Sequence, residues 1–206
     1  GLPTWYEIRV TRDAHTARSG RIDVMVAMNA ETYGKDMREV DSGGYLLYDS
    51  TRPMPPAAFR DDVQVIGVPL TQITNDAYSD PRQRQLFKNI VYVGVLSALL
   101  DMDVSVFEKL FAEQYKGKER LLGANLQALQ LGRDYVSQHL KAPLGIRVRQ
   151  ADAVGPRIFT DGNSAAALGA VYGGASVCAW YPITPSSSLA ESFMGYCKKL
   201  RGDPET

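Results

Sequence analysis

Metal-ligating side chains are scarce in this sequence. Its two cysteines, Cys178 and Cys197, stand far apart with no CxxC partner, and its two histidines, His15 and His139, are isolated from one another. That pattern argues against a zinc site or an iron–sulfur cluster held by this chain. It also leaves Ser-His-Asp and HExxH chemistry without a foothold. The thiols are expected free and buried, and the histidines are expected as solvated or partly buried side chains, one in a polar turn and one near a helix end. Charge of one sign is missing as well, since Lys+Arg and Asp+Glu each number 23. Nucleic acid and anionic membranes select clustered Lys and Arg, so neither is an expected partner. No apolar run reaches the roughly twenty residues of a membrane span, and the first residues lack the basic, apolar and small-residue order of a signal peptide. The expected location is the cytoplasm.

What is present describes an ordinary globular chain, 45% hydrophobic and 22% charged. Its 206 residues suffice for one full core and part of another. Thr4 to Val10 alternates and is rich in aromatic and β-branched residues, which predicts a strand. Ile22 to Met28, Gly44 to Ser50 and Val63 to Pro69 are short apolar runs of the kind found in strands covered on both faces. Between them, Ala30 to Val40 reads as a helix closed by Gly43 and Gly44, and Arg52 to Pro56 as a surface connection. Strands alternating with helices predict a layered α/β domain with a largely parallel sheet.

After Tyr78 the period becomes helical. Ser79-Asp80-Pro81 is a helix start, and Leu86, Ile90, Val93, Leu96 and Leu100 recur at helical spacing. A second helix from Val104 carries Phe107, Leu110, Phe111 and Tyr115, and Gly117 interrupts it. A third, from Lys118 to Leu140, carries Leu121, Leu122, Ala128, Leu129, Tyr135 and Val136. Asn89 and Asn125 fall beside the apolar faces, as hydrogen-bonded structural residues or as ligand contacts. The Pro- and Gly-containing stretch from Pro143 to Pro156 reads as a linker. Its Arg147 and Arg149 are open to two uses, a phosphate clamp or solvated and paired charges.

Candidate chemistry lies in the C-terminal quarter. A short strand from Arg157 to Thr160 meets Asp161-Gly162-Asn163, with Asn163 as the expected N-cap of a helix. That helix is built from Ala165, Ala166, Ala167, Gly169, Ala170, Gly173 and Gly174. Each glycine weakens an isolated helix by roughly 1 kcal/mol, so either bland close packing or the close approach of another backbone or a cofactor must compensate. Val177 to Ile183 reads as a buried strand, followed by Thr184-Pro185-Ser186-Ser187-Ser188 and a helix from about Leu189 to Leu200, with Ser188 and Glu191 at capping-box spacing. Hydroxyls and bare amides at such a junction serve as caps or as a seat for a carboxylate or phosphate.

Asp161-Gly162-Asn163, the small-residue helix, and Tyr181-Pro182-Ile183-Thr184-Pro185-Ser186-Ser187 together resemble the opening of the pyrimidine-binding domain in the alpha subunit of 2-oxoacid:ferredoxin oxidoreductases. Arg21 to Asn29, Gly43 to Pro53 and Ser79 to Gly94 are similar to the gamma domain of the same enzymes. A gamma domain fused ahead of an alpha domain resembles the 2-oxoglutarate and broad 2-oxoacid members. The resemblance implies three segments: residues 1–142 a three-layer gamma-type α/β domain, 143–156 a linker, and 157–206 the beginning of the pyrimidine-binding α/β domain.

The implied activity is CoA-dependent oxidative decarboxylation of a 2-oxoacid such as 2-oxoglutarate, with electrons passing singly through iron–sulfur clusters to ferredoxin or a similar acceptor. In the family, the threonine matching Thr184 contacts the 2-oxoacid carboxylate. Thr184, Pro185, Ser186 and Ser187 are therefore the expected substrate-binding residues, with no catalytic residue among them. The implied cofactors are thiamine diphosphate with Mg and a 4Fe-4S cluster, held mainly by a partner beta subunit, with coenzyme A as co-substrate. The family's Gly-rich turn and its thiamine-activating glutamate have no counterpart here, so the chain is expected to be a piece of a larger subunit, inactive by itself. Two rival readings are a noncatalytic subunit-assembly module and a synthase or transferase holding a phosphate at the helix start near Ser188.

Overall fold

A computed structural model describes residues 3–13, 15, 17–151 and 155–202, which divide into two compact units, Gly1–Ala151 and Asp152–Thr206. In the first, strands β1 (Val24–Ala27), β2 (Tyr45–Asp49) and β3 (Gln64–Val68) form a parallel sheet in the order β1-β2-β3. Tyr45 pairs with Val24 on one side and Gln64 on the other. β2 is the central strand and all five of its residues are buried, which is why its sequence is apolar without alternation.

Side chains leave β2 on alternate faces and so feed two cores. Leu46 and Tyr48 join Met25, Val63 and helix α1 (Tyr33–Glu39, with Tyr33 and Met37 buried). Leu47 and Val68 join Leu70, Phe87, Val91, Val95, Ala128 and Val136. The second set lies on α3 (Pro81–Leu99) and α5 (Glu119–His139), so the unit has the predicted three layers. Burying each of these Val, Leu and Phe side chains contributes roughly 1.5–3 kcal/mol.

Local chemistry sets the helix ends. Asp80 caps α3 by accepting from the Arg82 amide at 2.7 Å, with Pro81 in the first turn as the sequence predicts. Arg60 donates to the Met37 and Val40 carbonyls at 2.9 and 2.7 Å, which satisfies the acceptors left open at the end of α1. α2 (Leu70–Ala77) is absent from the sequence reading. It is short and contains Thr71, Thr74, Asn75 and Asp76, all weak helix formers, so tertiary contacts hold it. α4 (Val104–Gln114) forms as expected but has no buried residue, and Leu110 is 53% exposed.

α3 and α5 cross at two glycines. A Cβ on Gly94 would fall closer than 3.0 Å to the Leu129 carbonyl, and one on Gly132 closer than 3.0 Å to the Val91 carbonyl. The backbones themselves are in contact there. For the glycines of the later small-residue helix the sequence left close approach open beside bland packing, and there the structure leaves open space around Gly169.

The segment read as a linker is fastened at its start. Leu144 and Val148 donate backbone bonds to Leu99 and Leu100 at 2.8 and 2.9 Å, and the Gly145 amide donates to the Tyr45 hydroxyl at 3.1 Å. Arg147 and Arg149 both pair with Asp101, at 3.5 and 3.0 Å. Thr4 to Val10, expected as a strand, is irregular and exposed without ladder bonds, because no neighbouring strand among the described residues takes its amides and carbonyls. Trp5 donates to buried Asp36 at 2.7 Å under the Lys35 ammonium, Glu7 pairs with Arg18 at 2.7 Å, and Arg9 donates to the Ala17 carbonyl.

The second unit is a helix pair, α6 (Gly162–Tyr172) and α7 (Ser186–Leu200), joined through a core of Ala167, Val171 and Phe193. The strands expected at Arg157–Thr160 and Val177–Ile183 do not form, and Phe159, Val177 and Tyr181 are 87%, 82% and 76% exposed. Their composition suits a strand, but a strand also needs a neighbour to bond with, and none lies beside them among the described residues of this unit.

Gly94→Ala and Gly132→Ala should each destabilise the protein by about 3 kcal/mol or more, since backbone cannot yield as a side chain does. Gly123→Ala, on exposed α5 surface with nothing within 4 Å, should raise stability by about 0.5–1 kcal/mol. Thermal unfolding of the three variants checks this; equal effects at all three positions would contradict the crossing.

Candidate functional site

The segment carrying the predicted site residues leads into α7 through a cis Thr184–Pro185 peptide. α7 begins at Ser186, three residues earlier than the sequence suggests, with Pro185 at its N-cap position. The Ser188–Glu191 capping box is therefore not formed. Ser188 is already inside the first turn, where its hydroxyl donates to the Pro185 carbonyl at 3.2 Å.

The four predicted residues differ in availability. The Ser186 hydroxyl is committed to the Tyr181 and Ile183 carbonyls at 2.8 and 2.6 Å. Pro185 offers only its carbonyl, which accepts from Asn163 and Ser188. Ser187 is half-buried, and Thr184 is exposed, at the surface rather than sealed in the interior. Neither of their hydroxyls has a hydrogen-bond partner among the described residues. Free donors thus lie beside the first turn of a 15-residue helix, where backbone N–H groups lack intrahelical acceptors and a partial positive charge accumulates.

α6 and α7 run side by side in the same direction. Asn163 at the start of α6 reaches the start of α7, and Arg201 at the end of α7 donates to Val171 and Ala175 at the end of α6. Both N-termini therefore lie at one end of the pair. The N-cap of α6 is Asp161, not Asn163: Asp161 accepts from the Ser164 amide at 2.9 Å and its hydroxyl at 2.7 Å. Those bonds from Ser164 hold the Asp161 carboxyl below the usual carboxylate range. Asn163 donates instead to the Pro185 carbonyl at 2.8 Å and the Ser188 hydroxyl at 2.7 Å.

The first unit holds a polar cluster that the sequence reading missed. Asp49, 4% exposed at the carboxyl end of β2, accepts from the Thr51 and Thr71 amides at 3.2 and 3.3 Å, from the Thr71 hydroxyl, and from Lys88 at 3.2 Å. Burial opposes ionisation, but the hydrogen bonds from Thr71 and Thr51 outweigh it and hold the carboxyl low. The Tyr33 hydroxyl donates to the Asp49 carbonyl at 3.2 Å. Burial and then the Asp49 charge push that phenol up to about 12. An acid ending a buried run was the available signal, but its partners come from α2 and α3, and α2 was not foreseen.

Other candidates resolve into structural roles. Asn125 is buried and donates to the Leu121 carbonyl at 2.8 Å, whereas Asn89 is exposed. Cys178 and Cys197 are free and half-buried. His139 stacks on Tyr135 at 4.4 Å, and His15 is exposed. Among the described residues no three His, Cys, Asp or Glu side chains come together as metal ligands, and no helix is long and apolar enough to cross a membrane. The donor set of the described residues does not fit an iron–sulfur cluster or the Mg of a bound diphosphate.

Residues 1–135 match the family model described as pyruvate ferredoxin/flavodoxin oxidoreductase. The chain is 25% identical to the alpha subunit of 2-oxoacid:ferredoxin oxidoreductase 2 of Aeropyrum pernix over 92% of its own length and 35% of that protein. It is 29% identical to the alpha subunit of 2-oxoacid:ferredoxin oxidoreductase 1 of Sulfurisphaera tokodaii, over 100% and 37%. Among solved structures, it superposes on 2-oxoglutarate:ferredoxin oxidoreductase from Magnetococcus marinus, with 2-oxoglutarate, coenzyme A and succinyl-CoA bound, at a TM-score of 0.73 and 27% identity, covering 88% of this chain and 31% of that one. The chain thus spans about a third of the length of the relatives it matches.

Because Asp49 is held below the ordinary carboxylate range, its contribution to stability is complete above the unfolded pKa near 4 and is lost as pH falls through the lower folded value. Asp49→Asn should cost about 2–3 kcal/mol at neutral pH and flatten the loss of stability below about pH 4. Urea midpoints measured from neutral to acidic pH test this; parallel curves for variant and parent would contradict it.

Proposed function

The chain belongs to the pyruvate ferredoxin/flavodoxin oxidoreductase family, and on that premise we propose that it is part of a cytoplasmic, thiamine-dependent 2-oxoacid:acceptor oxidoreductase. The reaction is CoA-dependent oxidative decarboxylation of a 2-oxoacid such as 2-oxoglutarate, with electrons delivered to ferredoxin or a similar acceptor. Residues 1–142 act as a gamma-type domain, 143–156 as the connection, and 157–206 as the opening of the pyrimidine-binding domain. In this reading the thiamine diphosphate, Mg and 4Fe-4S groups belong mainly to a partner beta subunit. This chain's own contribution is substrate binding.

The carrying observation is the exposed Thr184 hydroxyl, unengaged beside the N-terminus of α7. In this reading a 2-oxoacid carboxylate accepts from that hydroxyl and from first-turn amides, with Ser187 adding a donor and with Pro185 and Ser186 holding the turn. A hydrogen bond to a charged group contributes about 1.5–3 kcal/mol, and the helix end about 0.3–1 kcal/mol more. Fixing the carboxylate also fixes where the 2-oxo carbon sits, which is where orientation lowers the barrier. No side chain here moves a proton.

The exposed apolar side chains Ile158, Phe159, Tyr172 and Val177 favour a second reading, a noncatalytic subunit-assembly module, because such patches are usually covered by a partner. One variant separates the two. In the whole enzyme, Thr184→Ala should raise KM for the 2-oxoacid by about tenfold or more, with Thr184→Ser keeping most of the affinity. An unchanged KM with weakened subunit association would replace the substrate-binding reading with the assembly one.

A further inference from the structure

Resting on the carboxylate-seat reading above, we infer that Asn163 is the positioning residue that holds the Thr184 turn in register. The amide NH2 of a single side chain donates to two acceptors on the far side of that turn, the Pro185 carbonyl at 2.8 Å and the Ser188 hydroxyl at 2.7 Å. These partners lie 22 and 25 residues away in sequence and flank the first turn of α7. Asn163 thus ties the residue after Thr184 to the helix whose N-terminus completes the seat.

The chemistry requires an amide. Both partners face Asn163 as acceptors, and an asparagine has two N–H donors to give them, whereas an aspartate of the same shape has none when ionised. Asn163 is not needed to cap its own helix, since Asp161 performs that role through Ser164. Nor is it packing material, because it is only half-buried and stands outside the Ala167, Val171 and Phe193 core. Its two bonds instead set where the Pro185 carbonyl points, and the Thr184 hydroxyl rides on the adjoining peptide. Loss of this tie leaves the seat built but loose, and small misplacements weaken a binding geometry steeply.

The test uses the whole enzyme with its partner subunit. Asn163→Ala and the isosteric Asn163→Asp should raise KM for the 2-oxoacid by about tenfold while leaving kcat, KM for coenzyme A and the unfolding temperature nearly unchanged. In the Asn163→Ala/Thr184→Ala double variant the two increases in KM should fail to multiply, because both act on one contact. An unchanged 2-oxoacid KM in Asn163→Asp, equal rises in both KM values, or multiplicative effects in the double variant would each overturn the inference. If Asn163→Ala does not fold, Asn163→Asp decides alone. Should Thr184→Ala itself leave KM unchanged, the seat fails; should it raise KM while both Asn163 variants do not, only the positioning role fails.

Discussion

The contact of two helix backbones at Gly94 and Gly132 is the constraint on which the first unit depends. α3 and α5 make one layer against the sheet only because neither helix carries a side chain where the other's carbonyl passes. That layer supplies Phe87, Val91, Val95, Ala128 and Val136 to the core shared with Leu47 and Val68. Because β2 is covered on both faces, its position is fixed by packing from two sides. The 143–149 segment then closes over the helix ends through Leu99, Leu100 and Asp101.

A buried carboxylate is tolerable at Asp49 because four donors converge on it. Its placement at the end of the central strand also gives the N-terminus of α2 a negative partner. This explains how a helix with poor intrinsic propensity persists: the Thr71 amide and hydroxyl have somewhere to go. The cluster is satisfied internally, which marks it as a stabilising device.

The second unit follows a different logic. Its core is small, and polar ties join the helices at both ends, Asn163 at one and Arg201 at the other. The hydroxyls are divided between duties. Ser186 and Ser188 brace the turn, while Thr184 remains available to a ligand.

The sequence by itself determined the three strands, read within Ile22–Met28, Gly44–Ser50 and Val63–Pro69, and the capped start of α3 at Asp80-Pro81, and it carried the family resemblance around Thr184. These are local signals: a buried run, a cap and a string of residue types are visible within a few positions. Tertiary structure decided which strand-like stretches become strands, because Thr4–Val10, Arg157–Thr160 and Val177–Ile183 have the composition but no neighbour to bond among the described residues. It also decided which glycines matter, since close approach at Gly94 and Gly132 depends on where a distant helix lies. The hydrogen-bond partners of Asp49 and Asn163 were decided the same way. A polar side chain's function is set by partners about twenty to forty residues away, and no local period encodes that distance.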